Sequence, residues 1–207
     1  CGGGFGSKLD ISFQPYIALA AWVLGRPVRI CYSRGESMRA STKRHPSDIR
    51  LQVGCDENGR ISGFIFDGVF NTGAYASWGP TVANRVPIHA SGPYQTKDYR
   101  ANSVAVHTNA PPAGAFRGFG VPQSAVAQEC AYDLLAEKIG MDRLEFRRLN
   151  ALKNGVPTVT GQVFNSGVGI DDCFAALEDS WQHALGAADQ FNAAALEDAS
   201  PWRKGVG

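Results

Sequence analysis

Neither sign of charge predominates in this chain. Its 20 lysines and arginines almost cancel 19 aspartates and glutamates, leaving a formal net charge of +1. Without a strong field there is no general means of gathering phosphate backbones or an anionic membrane surface, which argues against nucleic acid and membrane as partners. Long apolar runs are missing too. The longest, residues 16–24, falls far short of the roughly 20 residues a membrane-spanning helix needs, and no basic-then-apolar signal segment opens the chain. The 5 cysteines, at positions 1, 31, 55, 130 and 173, form no CxxC pair, so the usual zinc and iron–sulfur spacings are absent. Scattered and odd in number, they suit a reducing cytoplasm. His45, His89, His107 and His183 show no paired spacing and are assigned no role, and Lys43, Arg44 and His45 read together as a solvated edge. No internal repeat is present.

With 207 residues, 44% of them hydrophobic, the chain can bury the core of one large domain or two small ones. Both ends read as cut. The glycine-rich opening CGGGFGSK has no strand or helix before it to deliver the loop, and WRKGVG stops as if entering a strand. The expectation is a segment of something longer. Residues 10–24 are apolar on nearly all sides, which predicts a core helix with Pro15 in its first turn and Gly25 at its end. Residues 27–32 read as a strand. Ile49, Leu51 and Val53 alternate with polar residues, Asn58 and Gly59 make a turn, and residues 61–70 continue the pattern, predicting a β-hairpin. Residues 71–93, rich in glycine, proline and small polar side chains around Tyr75, Trp78 and Arg85, read as a long ordered loop or short irregular helix. Residues 103–107 form a short strand. A helix begins near Pro122 and stops at Gly140. Asp142 with Glu145 resembles a capping box for a second helix through Leu152, and a third starts at Asp171, with Ile170, Phe174, Leu177 and Trp181 on one face. Beyond Ala184 an Ala-rich stretch continues to Ser200 as a helical connector. This order of elements indicates α+β, with layers of antiparallel strands and helices.

Two glycine-rich loops are the informative features, GGGFGSK at residues 2–8 and PPAGAFRGFGVPQ at residues 111–123, each directly before a predicted helix. Glycines permit positive φ and close backbone approach, and free amides at a helix start can donate to anionic oxygens. Read singly, either loop can be no more than a tight turn; read together they suggest a site for an anionic cofactor. Common nucleotide motifs fail. A Walker loop needs Gly before its lysine and Ser or Thr after it, whereas Lys8 lies between Ser7 and Leu9; a dinucleotide GxGxxG counted from Gly2 needs Gly where Ser7 stands.

The same motifs, with the later helix ECAYDLLAEKIGMDRLEFRRLNAL, closely resemble the molybdopterin-binding subunit of the xanthine dehydrogenase and aldehyde oxidase family, in the family's order and over residues 2–181. The resemblance implies the first molybdenum-cofactor-binding domain of a molybdenum hydroxylase in residues 1–184, with residues 185–207 connecting to a following domain. It implies that Gly4, Phe5 and Gly6 approach the cofactor and that Arg117 sits beside its pterin and metal end, a fixed positive charge with several donors suiting an electron-rich centre. Phe119 would stack on the substrate ring, whereas Phe116 is weighted toward packing. No residue of this chain is expected to ligate the metal directly. The implied reaction is hydroxylation of an electron-poor carbon with water as the oxygen source, electrons leaving through [2Fe-2S] clusters to FAD in partner subunits or domains.

Substrate choice is where the residues depart from the family's purine-oxidising members. Those place a glutamate where Leu9 stands, and leucine cannot accept a purine proton; the arginine matched by Arg85 is retained, and Arg85 is otherwise a structural or surface arginine. The reading is an aldehyde or N-heteroaromatic substrate, with a purine dehydrogenase as the alternative. Gly118 stands where the carbon monoxide dehydrogenases bear cysteine, which disfavours that subclass. The catalytic base, a glutamate of a GVGE-type motif, is absent from these residues, so this chain alone is expected to be inactive. Molybdopterin, as a cytosine dinucleotide if the source is bacterial, and the remaining molybdopterin-binding domains are the implied companions, in the cytoplasm. A cofactor-free interaction module that keeps the loops only as turns is the rival from another class.

Overall fold

The computed structural model describes residues 3–207. Cys1 and Gly2, the latter the first residue of the first glycine-rich loop, lie outside the described residues. The chain divides into two compact units. The first comprises Cys1–Gly54, Gly63–Gly92 and Asp98–Ala131; the second comprises Cys55–Ser62, Pro93–Lys97 and Tyr132–Gly207.

The first unit is built on a three-stranded sheet in the order β1 (Ser47–Cys55), β2 (Ile61–Gly73), β3 (Asp98–His107). β1 and β2 are the expected hairpin. Asp56 Oδ1 accepts from the amides of Asn58 (3.0 Å) and Arg60 (2.9 Å), and Gly59 takes φ +82°. Period-2 burial runs down β2, where Phe64, Phe66 and Phe70 are buried on one face. β3 begins earlier than expected and pairs with β2 in parallel, with Phe64 opposite Tyr99 and their rings stacked at 5.3 Å.

A parallel neighbour needs a crossover, and it is helical. Residues 71–93, read from sequence as a loop or short irregular helix, contain α3 (Gly79–His89), which packs Val82, Ala83 and Val86 inward. Pro80 fits its first turn. Pro87 lies inside the helix and cannot donate to the carbonyl of Ala83; the hydroxyl of Ser103 on β3 donates there instead, so the missing bond is replaced.

Two expectations are corrected in this unit, and one helix is added. The first helix, α1 (Gln14–Leu24), forms with proline at its start and Gly25 as its left-handed cap, yet it buries no residue, and Trp22 is 84% exposed. An all-round apolar helix reads as buried, but here even Ile17, Ala20 and Ala21 are only half-buried. Residues 27–32 form no strand, because β-favouring side chains need a partner strand and none lies alongside among the described residues. A short helix, α2 (Arg34–Ala40), was not expected; its capping box of Ser33 and Glu36 was the available signal.

Chain order continues with α4 (Val121–Ile139), closed by Gly140, and α5 (Arg143–Asn150), capped by the Asp142 side chain on the amides of Leu144 (2.8 Å) and Glu145 (3.0 Å). α6 (Ile170–Glu197) runs unbroken for 28 residues. In the second unit Tyr94, Tyr132 and Phe146 form an edge-to-face chain, with centroids 5.2 and 5.7 Å apart. Buried Asn150 accepts from the Ile61 amide at 2.8 Å and donates to the carbonyls of Gly59 and Phe146 at 2.9 Å each. No helix among the described residues is long and apolar enough to cross a membrane.

Candidate functional site

Both glycine-rich loops belong to the first unit, and the structure brings them against each other. Gly6 has φ +86°, and a Cβ there would lie 3.3 Å from the Ala115 carbonyl carbon and from N and Cα of Phe116. Only a residue without a side chain accepts both the left-handed backbone and that approach. The loops therefore meet main chain to main chain, one residue from Phe5 on one side and one residue from Arg117 on the other.

The second loop leaves β3 and returns past the end of β2. The amide of Ala113 donates to Thr72 O at 3.0 Å, and that of Gly114 to Lys43 O at 3.0 Å. Gly114 fills a tight gap: a Cβ there would be 2.6 Å from Asp10 Oδ2, 2.9 Å from Thr42 Cβ and 3.1 Å from Ser77 Oγ. Past it the chain turns twice, Phe119 N donating to Phe116 O (2.7 Å) and Val121 N to Gly118 O (3.0 Å), and enters α4. Phe119 itself takes φ +51°, unusual for a bulky residue and held by its surroundings.

These bends leave donors unused. The amides of Phe5, Gly6, Arg117 and Gly118 bond to no described residue, and the exposed Arg117 guanidinium makes no hydrogen bond or ion pair among them. On the acceptor side, Asp10 Oδ1 takes the Ser77 hydroxyl at 2.7 Å, while its Oδ2 is buried and without a partner. Phe5, with φ +50°, holds its ring 58% exposed. Gly4 is exposed, and its carbonyl accepts from Ser7 Oγ at 3.4 Å. The amides and guanidinium suit a phosphate or other anionic oxygen, and a pterin ring brings both donors and acceptors, so the residues present fit such a group.

The substrate-pocket candidates divide. Arg85, on α3, carries its guanidinium 5.9 Å from the centroid of the Phe119 ring, so these two lie together. Trp78 joins them, edge-on to Phe119 at 6.0 Å. Trp78 was not singled out from sequence; an aromatic in the glycine- and proline-dense stretch before α3 was the only signal. Leu9 is 59% exposed and belongs to the first loop's own turn, its amide donating to Gly6 O at 3.3 Å. No described hydrogen bond or ring contact joins it to Arg85 or Phe119.

The reading of residues 43–45 as a solvated edge is overturned. His45 is buried and its carbonyl accepts from Gln123 Nε2 at 3.1 Å. Burial holds its imidazole below the ordinary histidine range. Arg44 crosses to the second loop and donates to Arg117 O at 2.6 Å.

Known proteins share this sequence and fold. The molybdopterin cofactor-binding domain family matches residues 1–151. The chain is 43% identical over 185 residues to the nicotinate dehydrogenase large molybdopterin subunit of Eubacterium barkeri, an alignment covering 89% of this chain and 44% of that one. It is 43% identical over 152 residues to one chain of a probable xanthine dehydrogenase from Bacillus subtilis (strain 168), covering 73% of this chain and 20% of that one. Among solved structures, aldehyde oxidoreductase from Desulfovibrio gigas superposes with a TM-score of 0.84 at 32% identity, over 91% of this chain and 21% of that one. The chain thus spans less than half the length of each protein it matches here.

Proposed function

This chain belongs to the molybdopterin cofactor-binding domain family, and on that premise we propose that it forms one wall of the cofactor cradle, and part of the substrate pocket, in the catalytic subunit of a molybdenum hydroxylase. The observation that carries the reading is the abutment of Gly6 on Ala115 and Phe116, which sets two loops with unbonded amides against each other beside Arg117. Gly4, Phe5, Gly6 and Arg117 hold the cofactor. When bound, the cofactor supplies two-electron oxidation of a substrate carbon, with water as the source of the oxygen.

What the chain's own residues do follows from their chemistry. Arg117 contributes a permanent positive charge and planar donors toward an electron-rich group, in a loop whose amides add partial positive charge. Phe119 offers a ring against which an aromatic or carbonyl-bearing substrate can lie, and Trp78 braces it edge-on. Arg85, beside that ring, is placed to pair with a substrate carboxylate or carbonyl. Leu9, exposed on the first loop, is a side chain that cannot accept a purine proton. The substrate class is therefore an aldehyde or an N-heteroaromatic compound, and the likeness to proteins named for nicotinate and aldehyde substrates supports it. The likeness to the probable xanthine dehydrogenase, with Arg85 retained, supports purine as the second reading.

The catalytic base, the rest of the cradle, and the [2Fe-2S] and FAD centres that accept electrons belong to other domains or subunits, the cofactor is a cytosine dinucleotide if the source is bacterial, and the assembly works in the cytoplasm. The test is turnover by the full-length subunit purified with its partners, in ¹⁸O-labelled water with an artificial electron acceptor. Nicotinate or an aromatic aldehyde should yield product carrying ¹⁸O, with xanthine slower by roughly 10–100-fold. Oxidation without the label, or xanthine as the preferred substrate, would contradict the reading.

A further inference from the structure

Residues 42–45 bond in turn to both glycine-rich loops. Thr42 Oγ1 donates to Ser7 O at 2.8 Å, one residue past Gly6. Lys43 bridges Ala113 in parallel and accepts from Gly114 N at 3.0 Å. Arg44 then reaches the tip of the second loop. Its Nη2 donates to Arg117 O at 2.6 Å, its Nη1 to Gln123 Oε1 at 3.3 Å, and its guanidinium lies over the Phe116 ring, 4.6 Å from the centroid. Gln123 closes the circuit by donating to His45 O at 3.1 Å.

We propose that Arg44 is a positioning residue for the cofactor: it clamps the main chain of Arg117 and the ring of Phe116 so that Arg117 presents its own guanidinium at the right distance from the first loop. The proposal rests on the reading that these loops hold molybdopterin. The reason is mechanical. In the tip that carries Arg117, Phe119 has φ +51°, a conformation that persists in a bulky residue only where neighbours over-determine it. Phe116 and Phe119 are joined by one turn bond at 2.7 Å, and among the described residues the Arg117 carbonyl is held from elsewhere in the chain by Arg44. One planar guanidinium meets three things at once, a carbonyl, a side-chain amide oxygen and an aromatic face. Lysine, a point charge on a flexible stem, cannot do all three. Thr42, two residues earlier, ties the first loop to the same segment, so residues 42–44 hold the two abutting loops together.

The experiment uses the full-length subunit purified with its partners, as wild type, Arg44→Met and Arg44→Lys. Molybdenum and released pterin per chain are measured before and after extended dialysis, with the Mo(V) electron paramagnetic resonance signal and the melting midpoint of cofactor-free protein. Both variants should lose molybdenum and pterin as if affinity had fallen roughly 10–100-fold, the lysine variant giving no rescue, while the cofactor-free midpoint stays close to wild type. Full retention with an unchanged signal overturns the proposal, as does rescue by lysine, or a fall in the cofactor-free midpoint large enough to account for the loss. If neither variant folds, Gln123→Leu, which frees Arg44 Nη1, should still alter the signal; an unaltered one overturns the proposal. Wild type retaining its molybdenum in any of these outcomes keeps the family reading separate from the clamp. Wild type with no molybdenum or pterin overturns both.

Discussion

Gly6 and Phe116 touch through their backbones: a Cβ on Gly6 would stand 3.3 Å from both N and Cα of Phe116, on a residue whose φ is +86°. Gly6→Ala therefore meets two obstacles, a left-handed backbone worth about 1–2 kcal/mol and a contact that pushes the loops apart. The expected outcome is a loss of that order in the stability of the full-length protein to urea, together with loss of bound molybdenum. Full cofactor content in the variant would show that the abutment is incidental.

On the proposed reading, Leu9 replaces the glutamate that the resemblance implies for the purine-oxidising members of the family. Leu9→Glu should gain measurable xanthine turnover and lose activity toward the proposed aldehyde or N-heteroaromatic substrate, read as kcat/KM for each. No gain would move the determinant of selectivity away from the first loop, toward Arg85, Phe119 and Trp78, which lie together.

In the second unit, Asn150 spends its amide on three backbone groups at 2.8, 2.9 and 2.9 Å and is 3% exposed. Asn150→Ala strands a buried donor and two acceptors, at an expected cost of about 2–4 kcal/mol. Faster amide exchange at Ile61, whose donor loses its partner, is the specific sign. A uniform change across the chain would point to a general loss of packing instead.

His45 gives the first unit a pH dependence. Buried, with Nε2 unpartnered among the described residues, it has a folded pKa depressed below the ordinary 6.5, so the unfolded chain takes up the proton first. Its stabilising contribution is complete above 6.5 and is lost as pH falls from there through the lowered folded value. His89, also depressed, by burial and then by Arg85, acts in the same direction. Melting midpoints between about pH 7.5 and 5.5 should fall, and His45→Gln should shrink the fall without abolishing it. An equal slope in the variant would remove His45 from the account.

Much of this was legible because it is local. Phe64, Phe66 and Phe70 recur at the strand period, Asn58 and Gly59 make the turn, and Asp142 and Gly140 punctuate helices within a few residues of where they act. The loops were visible for the same reason, the glycines of each lying within a few residues of one another. What was missed is non-local. Nothing near Pro87 shows that Ser103 will donate to Ala83 O and preserve α3, and Arg44 meets Arg117 across 73 residues, so a cationic trio read as surface turned out to tie the site together. α1 failed differently: its sequence specifies an apolar surface on every side, and what such a surface packs against is decided outside the helix.

Convergence of the two glycine-rich bends and Arg117 on one cofactor is tested by molybdenum and pterin analysis of the full-length subunit beside an Arg117→Met variant. Wild type should carry on the order of one molybdenum and one pterin per chain, and the variant should give up most of both on dialysis while remaining folded. A wild-type protein without either component, or a variant that keeps them as firmly as wild type, would contradict it.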